Sequence, residues 1–593
     1  MDDPTLSRRD VLKVGALGAA ALSLPFLPGP LAAKRAGELK EGELPRPYTT
    51  AFALPPDLTP TGSVTVGGRE RPLYVIEQRQ FQARILPRFQ TTMWGYNGTF
   101  PGPTIRAVRG TPIVVRQINK LPQRHPILRH ESTTSTHLHG APSLPQYDGY
   151  ANDLMRPGQY KDYLYDNMEE ERTIWYHDHA VHHTTENVYS GLAGLYITRN
   201  AAEGQLPSGR YDVPLVISDA AFTKSGQLLF EDHSESGLAG DVILVNGKPW
   251  PVLRVERRQY RFRVLIASLG RGYKLQLSPA APMTVVATDG GLVPEPQPVT
   301  TLTAGMAERY EIVIDFSRFR IGQRVELRNL GVDNAIDYDH TNKVMAFQVV
   351  AEASAPDPAL ALPPIAEPAL PEKPLMQLTA ADAVRTRRLR FERQGGEWTI
   401  DRKTWADVEA SGFRDVLANP RPGDVELWEL ENNSGGWFHP IHLHLVDFKI
   451  LDRDGRPPEP YERGPKDVVY LGENETVRII ARFGGAFPQP NGELVRRTGR
   501  YMIHCHNTSH EDHDMMSQFR VGADDPANDP LSDPPKPWPP AASGSSAASS
   551  SASPSPSASS SPAPSSSSST STPTGTATTT SPPATSAPPS PGS

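Results

Sequence analysis

The sequence predicts an all-β protein built from three consecutive β-sandwiches. A turn followed by a strand of alternating character occurs three times along the chain. Each of the three units then closes with an extended apolar segment. Glycine and proline are frequent and long amphipathic windows are few, which favours sandwiches over helical or α/β folds.

The three repeats follow one another in order. The turns and their strands lie at residues 97–105 and 112–119, 246–253 and 260–265, and 420–424 and 425–430. The closing segments lie at 194–198, 310–316 and 517–521. We therefore expect domains over residues 45–200, 201–354 and 375–525, with a proline-rich linker at 355–374.

The amino terminus looks like a twin-arginine export signal. Arg8 and Arg9 precede an uncharged stretch of small and apolar residues that ends near Ala33. Prolines interrupt this stretch, so we favour a removed signal over a retained membrane anchor. Residues 1–33 thus predict a secreted or extracytoplasmic protein with no stable membrane span after signal removal.

The carboxyl terminus predicts a disordered tail. Residues 539–593 contain only Ala, Ser, Thr, Pro and Gly, so they cannot bury enough surface to offset their ordering entropy. A passive tail is favoured over an O-glycosylated stalk or a spacer associated with the cell wall.

Composition excludes several other classes of protein. The 593 residues leave room for about three domains once the two ends are set aside. A net charge of −7 gives no indication of a nucleic-acid-binding surface. The chain has one cysteine, so neither an intramolecular disulfide nor a multi-cysteine zinc site is possible.

Histidine is the residue type that carries the chemistry. Ten of the 17 histidines lie in four short windows, at 137–139, 177–179, 439–444 and 504–510. In a strand, side chains at i and i+2 share one face about 6.6 Å apart, so each His-x-His pair presents two imidazoles to one side. Four such pairs supply eight nitrogen ligands for a cluster of copper, zinc or iron.

A second metal site is predicted on the opposite face of one of these strands. Cys505 lies between His504 and His506 and therefore points away from them. His439 has the opposite parity to His442 and is expected on the cysteine side. His439, Cys505, His510 and Met515 together supply two imidazoles, a thiolate and a thioether, which is the ligand set of blue copper.

These windows resemble the copper motifs of three-domain multicopper oxidases. The resemblance covers roughly residues 45–525 and is greatest to the bilirubin oxidase, spore-coat laccase and phenoxazinone synthase group, through residues 436–439, 466–472 and 511–516. It implies three cupredoxin-like Greek-key sandwiches. It also implies four copper ions, with one type 1 ion, one type 2 ion and two type 3 ions.

The resemblance assigns a role to each ligand. The type 1 ligands would be His439, Cys505, His510 and Met515. The type 2 ligands would be His137 and His442, and the type 3 ligands His139, His177 and His506 for one ion and His179, His444 and His504 for the other. The cluster would lie between the first and third domains, with the second domain as spacer and wall. The other seven histidines receive no ligand role, and the neighbouring pair His182 and His183 is expected in a solvated loop.

The implied reaction is oxidation of a donor coupled to reduction of dioxygen to water. We expect phenolic, aminophenolic or tetrapyrrole donors, and a monomeric enzyme. Substrate is expected to dock near His439, whose ring edge can face solvent, with Trp437 as a docking surface or, equally, a packed rim residue. Glu511 and Asp148 are candidates for proton relay, and Asp178 is expected to orient its neighbouring ligands.

Two other functions fit the same fold. A cuprous oxidase for metal resistance would be expected to carry a methionine-rich insertion, and only 11 methionines occur, with no rich cluster. A ferrous oxidase would be expected to carry acidic residues around the type 1 entrance, a surface that the sequence alone does not show. A metal-free structural member of the fold would be expected to lack some of the ligands, and none is missing.

Overall fold

The computed structural model describes residues 35–199, 205–362, 372–488 and 494–539. The predicted signal at 1–33, residues 363–371 of the predicted linker and nearly all of the predicted tail lie outside the described residues. The described part of the chain is built mainly of strands, arranged in three sandwiches.

The first sandwich uses strands from the amino-terminal third of the chain. These are β1 (Thr50–Ala51), β2 (Asp57–Leu58), β3 (Gly62–Val66), β4 (Arg69–Ala83), β5 (Thr91–Tyr96), β6 (Gly102–Val108), β7 (Ile113–Asn119), β8 (Thr136–His139), β9 (Gln159–Tyr165), β10 (Arg172–Asp178) and β11 (Ala193–Arg199), with helix α1 (Thr184–Ser190) before the last strand. One sheet has the order β2-β6-β11-β10-β8, and the other runs β3-β4-β7-β9 with β5 beside β4.

The second sandwich follows. Its strands are β12 (Asp212–Ala220), β13 (Val242–Val245), β14 (Lys248–Pro249), β15 (Pro251–Arg257), β16 (Gln259–Ile266), β17 (Tyr273–Ser278), β18 (Met283–Thr288), β19 (Gly291–Val299), β20 (Thr301–Ala304), β21 (Arg309–Asp315), β22 (Arg324–Asn329) and β23 (Lys343–Glu352). The two sheets have the orders β14-β13-β12-β16-β21-β18-β19 and β15-β23-β22-β17-β20.

The third sandwich holds the remaining strands and two short helices. They are β24 (Arg385–Gln394), β25 (Glu397–Ile400), α2 (Trp405–Ala410), β26 (Val425–Asn432), β27 (His439–Leu443), β28 (Phe448–Arg453), β29 (Val468–Leu471), β30 (Thr476–Arg482), β31 (Ala486–Pro488), β32 (Leu494–Arg496), β33 (Gly499–Cys505), α3 (Thr508–Asp512), β34 (Met516–Val521) and β35 (Lys536–Pro537). The orders are β25-β24-β26-β30-β28 and β29-β27-β33-β34, with β31 and β32 as a separate pair.

The predicted repeat strands are present. The strands β7, β16 and β26 cover the three alternating runs, and β11, β21 and β34 cover the three closing segments. The preceding turns supply the chain reversals. The strands themselves are buried on both faces over most of their length and not on one alternating face.

The first and last strands of the described chain each pair with a strand of another sandwich, which the sequence did not predict. Strand β1 pairs in parallel with β15 of the second sandwich. Strand β35 returns from the end of the third sandwich to pair with β9 of the first. Both strands have two residues, and such short pairings carry no periodic signal.

None of the helices in the described ranges has the length and apolar character needed to cross a bilayer.

Candidate metal centre

Two pairs of neighbouring strands bring the histidine windows together. In the first sandwich, β8 and β10 are antiparallel and His137 lies directly opposite His177. In the third, β27 and β33 are antiparallel, with His442 opposite His504 and Ile441 opposite Cys505. Opposite residues in an antiparallel pair share a face. The two histidines therefore point to one side of the third sandwich and Cys505 to the other, as their parity predicts.

Eight histidine rings from these strands form one buried cluster between the first and third sandwiches. Six ring nitrogens of the cluster lack a hydrogen-bond partner within the described chain, namely Nε2 of His137, His177, His442 and His506 and Nδ1 of His139 and His179. The Nε2 atoms of His179 and His444 lie 3.2 and 3.3 Å from Nε2 of His504. Converging basic nitrogens without protein partners are costly to bury unless a cation binds them.

The groupings of these nitrogens partly match the implied assignment. The ligand atoms of His179, His444 and His504 all lie within 4.8 Å of one another, as do those of a second set with His137, His442 and His444. For the other implied type 3 set, the ring of His506 is centred 5.2 Å from the rings of both His139 and His177. The donor set therefore fits a compact cluster of copper ions.

The outward nitrogens of the same rings are held by the protein. His137 and His442 donate through Nδ1 to the carbonyls of Asp148 and Asp467, at 2.5 and 2.8 Å. His444 donates through Nδ1 to the Asp148 carboxylate at 2.7 Å. Because a hydrogen bond at one ring nitrogen fixes the tautomer, the inward nitrogen of each ring is left as a lone-pair donor.

Burial keeps these imidazoles neutral. Desolvation lowers the pKa of His179 and of His504 to about 4 and that of the other cluster histidines well below the ordinary value. Neutral imidazole is the form that binds metal, so the buried site selects a cation over protons.

Both predicted relay carboxylates, Glu511 and Asp148, lie beside the cluster. Glu511 Oε2 lies 3.0 Å from His504 Nδ1, and Glu511 Oε1 lies 3.4 Å from His179 Nδ1. The Asp148 carboxylate binds His444 on another side. Desolvation raises the pKa of both carboxyl groups above the ordinary value, because burial disfavours the charged form.

Asp178 has a different position. Its carboxylate accepts hydrogen bonds from the backbone of Ser135 and Ala180 and from the Asn187 amide. His177 Nδ1 donates to its carbonyl at 2.8 Å. Asp178 thus orients His177 through its carbonyl, while its carboxylate organises the neighbouring backbone and bonds to no cluster ring nitrogen in the described structure.

A second buried centre surrounds Cys505. The thiol sulfur lies 3.4 Å from Nδ1 of His439 and 3.7 Å from Nδ1 of His510, and these two nitrogens are 3.1 Å apart. Met515 is fully buried in the same apolar cluster, and its carbonyl accepts from the Cys505 N–H. Burial raises the pKa of the thiol far above its usual range, so a bound cation is needed to hold the thiolate.

The expectation that the His439 ring edge faces solvent is wrong. Its side chain is 0% exposed, and its Nε2 lies 2.8 Å from the Ser434 hydroxyl. Gly435 and Gly436 both adopt positive φ and turn the chain so that Ser434 covers the ring. Trp437 is half-buried, and its ring is centred 5.9 Å from Trp398.

The second sandwich reaches both centres, a role that the sequence analysis did not give it. Arg309 of β21 pairs with Asp467, whose carboxylate accepts from His139 Nε2 at 3.1 Å. Ser236 accepts from His510 Nε2 at 3.2 Å through its carbonyl. Asp467 lies in segment 466–472, which carries part of the family resemblance. Its contacts with Arg309 and His139 could not be predicted from the neighbouring residues, because both partners are distant in sequence.

Three histidines without a ligand role form a further ring cluster in the first sandwich. His125 and His130 are buried and stack at 5.5 Å, and the half-buried His183 lies 5.6 Å from His130. His182 is exposed, as expected for a solvated loop, but His183 is not. No metal-ligand group in the described residues includes any of them.

The multicopper oxidase family matches this chain at residues 79–203 and 389–525. The bilirubin oxidase of Albifimbria verrucaria is 40% identical over 540 residues, covering 85% of this chain and 88% of that protein. A laccase of Bacillus subtilis is 32% identical, covering 80% of this chain and 98% of the laccase.

A solved structure shows the same architecture. The McoA multicopper oxidase of Aquifex aeolicus is 26% identical, with a TM-score of 0.67, and the match covers 80% of this chain and all of that one. The predicted cupredoxin-like fold class is confirmed.

Proposed function

The chain belongs to the multicopper oxidase family, in the group that includes bilirubin oxidase and laccases, and we propose that it couples one-electron oxidation of organic donors to the reduction of dioxygen to water. The donors we propose are phenols, aminophenols or tetrapyrroles. The observation that carries the proposal is the convergence of eight neutral histidine rings beside a separate Cys505 centre.

We assign four copper ions to these residues. The type 1 ion would be held by His439, Cys505, His510 and Met515. The type 2 and type 3 ions would be held by the eight cluster histidines in the sets that the family resemblance implies. Bound copper would supply storage for the four electrons that dioxygen needs to become two waters, whereas each donor gives up one.

The two centres share three consecutive residues, at the end of β33 and one residue beyond it. Cys505 belongs to the first centre, and its neighbours His504 and His506 belong to the second. The backbone thus joins the centres directly, which supports passage of electrons from the donor side to the oxygen side.

Protons must reach a site that is closed to bulk water. The raised pKa of Glu511 and of Asp148 and their contacts with His504 and His444 support a role in holding and delivering those protons. We propose that the donor docks near Trp437 and Ser434, the residue that covers the His439 ring.

Metal analysis combined with the visible spectrum tests this assignment. We expect about four copper ions per chain and an intense band at about 600 nm. Colourless protein without copper after reconstitution would contradict the proposal. Steady-state rates with bilirubin, 2-aminophenol, 2,6-dimethoxyphenol, Cu(I) and Fe(II) then separate an organic oxidase from a cuprous or ferrous metallo-oxidase.

We also propose export by the twin-arginine route. Arg8 and Arg9 and the following apolar stretch support it, and export of folded protein suits a cargo loaded with metal beforehand. Amino-terminal sequencing of the protein recovered outside the cytoplasm tests this, and export that persists when Arg8 and Arg9 are both replaced by Lys would contradict it.

A further inference from the structure

A short segment of the second sandwich covers the Cys505 centre, which belongs to the third. We call residues 232–237 the cover segment. The carbonyl of Ser236 accepts from His510 Nε2 at 3.2 Å and from the Asn507 side-chain amide at 3.1 Å. His510 is only 1% exposed, and the cover segment and the Asn507 amide both contact this edge of the ring.

Trp398 ties the cover segment to the ring beneath it. Its indole lies flat on His510, with ring centroids 3.9 Å apart and an interplanar angle of 27°. The indole N–H donates to the carbonyl of Glu235 at 3.1 Å. One fully buried side chain therefore contacts both the histidine and its cover.

The Glu235 side chain makes a second tie. Its carboxylate accepts from Arg393 at 2.9 Å, and the Arg393 guanidinium lies over the Trp398 ring at 5.0 Å. His513 lies 3.6 Å from the same carboxylate. Glu235 thus contacts three residues of the third sandwich, namely Trp398 through its carbonyl and Arg393 and His513 through its carboxylate.

The backbone of the cover segment is strained. His233, Ser234 and Glu235 have φ of 53°, 57° and 69° in succession, a conformation that residues with a Cβ rarely adopt. Gly237 follows with φ of +131°, and a Cβ there would lie 2.8 Å from the Asn507 amide. Such a shape persists only when surrounding contacts hold it.

We propose that the cover segment positions His510 and decides which donors approach it, with Trp398 and Glu235 as positioning residues. The proposal rests on the proposed function, in which His510 is a type 1 copper ligand. Ser434 contacts the outer nitrogen of His439, and Ser236 contacts that of His510. A donor that approaches either ring from this side therefore docks against Ser434 or against the cover segment. The shape of the cover segment then sets the distance between the donor and the ring.

Two substitutions release the cover segment and leave every proposed ligand in place. Glu235→Ala removes the tie to Arg393 and keeps a Cβ at the same strained φ. Trp398→Phe removes the indole N–H and keeps an aromatic ring against His510. Glu235→Gln retains a partner for Arg393 and should restore part of the wild-type behaviour.

Each variant has a matched control in the second sandwich. Trp250→Phe deletes another buried indole that donates to a backbone carbonyl, that of His340. Glu352→Ala deletes a carboxylate paired with Arg257. Neither residue contacts the Cys505 centre in the described structure, so both controls should keep the wild-type potential and donor preference.

The measurements are copper content, the visible spectrum, the type 1 reduction potential and kcat and KM for bilirubin and 2,6-dimethoxyphenol. We expect full copper content, a lower potential because water gains access to His510, and a change of about 10-fold in the ratio of kcat/KM for the bulky and small donors. Unchanged potential and donor ratio in both variants would overturn the inference.

Failure of the proposed function would look different, because wild-type protein would then lack copper and the blue band. If a variant does not fold, hydrogen exchange of the wild-type holoenzyme decides. Slow exchange of the amides at 232–237 supports the ties described above, and exchange as fast as in an exposed loop overturns them.

Discussion

At the scale of single residues, the centre depends on which nitrogen of each histidine faces inward. Asp148 holds two rings at once, through its carbonyl to His137 and through its carboxylate to His444. Such outer hydrogen bonds fix ring orientation and increase ligand basicity. Residues outside the proposed ligand set therefore decide the orientation of the rings within it.

Glu511 gives a residue-scale prediction. Glu511→Gln keeps the side-chain size and an acceptor for the Thr184 hydroxyl but cannot hold a mobile proton. We expect oxygen reduction to slow by about 100-fold while the blue absorption and copper content stay unchanged. Stopped-flow reoxidation of the reduced enzyme by dioxygen measures this.

The matched control is Glu169→Gln. Glu169 is also buried and also accepts from a threonine hydroxyl, that of Thr198, but it contacts no cluster histidine in the described structure. If Glu511→Gln reoxidises as fast as this control, Glu511 is not part of the relay.

At the scale of elements, strand pairing assembles the ligands, and one loop is fastened to a helix by histidine. His130 lies between β7 and β8, and its Nε2 donates to the Asn187 side-chain carbonyl of α1 at 2.9 Å. Asn187 in turn donates to Asp178, at the end of β10. This chain of contacts fixes α1 beside the cluster.

His130 predicts a loss of stability in mild acid. Burial lowers the pKa of His130 to about 4, whereas histidine in an unfolded chain titrates at about 6.5. Between these two pKa values the unfolded state binds more protons than the folded state. The contribution of neutral His130 to the free energy of unfolding is therefore complete above about pH 6.5 and is lost as the pH falls toward 4. The loss at pH 5 is about 2 kcal/mol.

The substitution His130→Gln should reduce this pH dependence, since glutamine can still donate to Asn187 and does not titrate. Denaturant unfolding at pH 7 and pH 5 measures the difference, with the exposed His182→Gln as control. Equal losses in wild type and His130→Gln would show that His130 does not contribute.

At the scale of the whole molecule, a buried ionic network joins the three sandwiches. Arg309 of the second pairs with Asp467 of the third and donates to the Thr173 carbonyl of the first. Lys466 pairs with Asp289 at 2.8 Å and Glu308 at 2.6 Å. All the charged side chains are at most 2% exposed, so each depends on its partners for solvation.

Asp467→Asn should destabilise the protein, because it leaves Arg309 short of compensating negative charge in a buried position. We expect a loss of about 3–5 kcal/mol, observed as a lower unfolding midpoint in both copper-loaded and copper-free protein. The control is Asp452→Asn, which breaks a more exposed pair with Arg478 and should cost no more than about 1 kcal/mol. Similar midpoints in the two variants would contradict the importance of the network.

The sequence by itself determined the strands and the spacing of the ligands. The parity that separates Cys505 from His504 and His506 follows from the two-residue period of a strand, which is a property of the backbone. The resemblance of the copper motifs then gave the family, since these residue types in this spacing are specific. Residue type and spacing along the chain were sufficient to predict both the ligand positions and the family.

Only the tertiary structure decided how the two centres are enclosed. Ser236 and His510 are 274 residues apart, and Asp467 and His139 are 328 residues apart. No period or neighbouring residue indicates such contacts, because they exist only after separate sandwiches pack together. The cover of His439 is different, because Ser434 is a near neighbour in sequence and reaches the ring through the turn at Gly435 and Gly436. The structure was needed there to show the path of that turn.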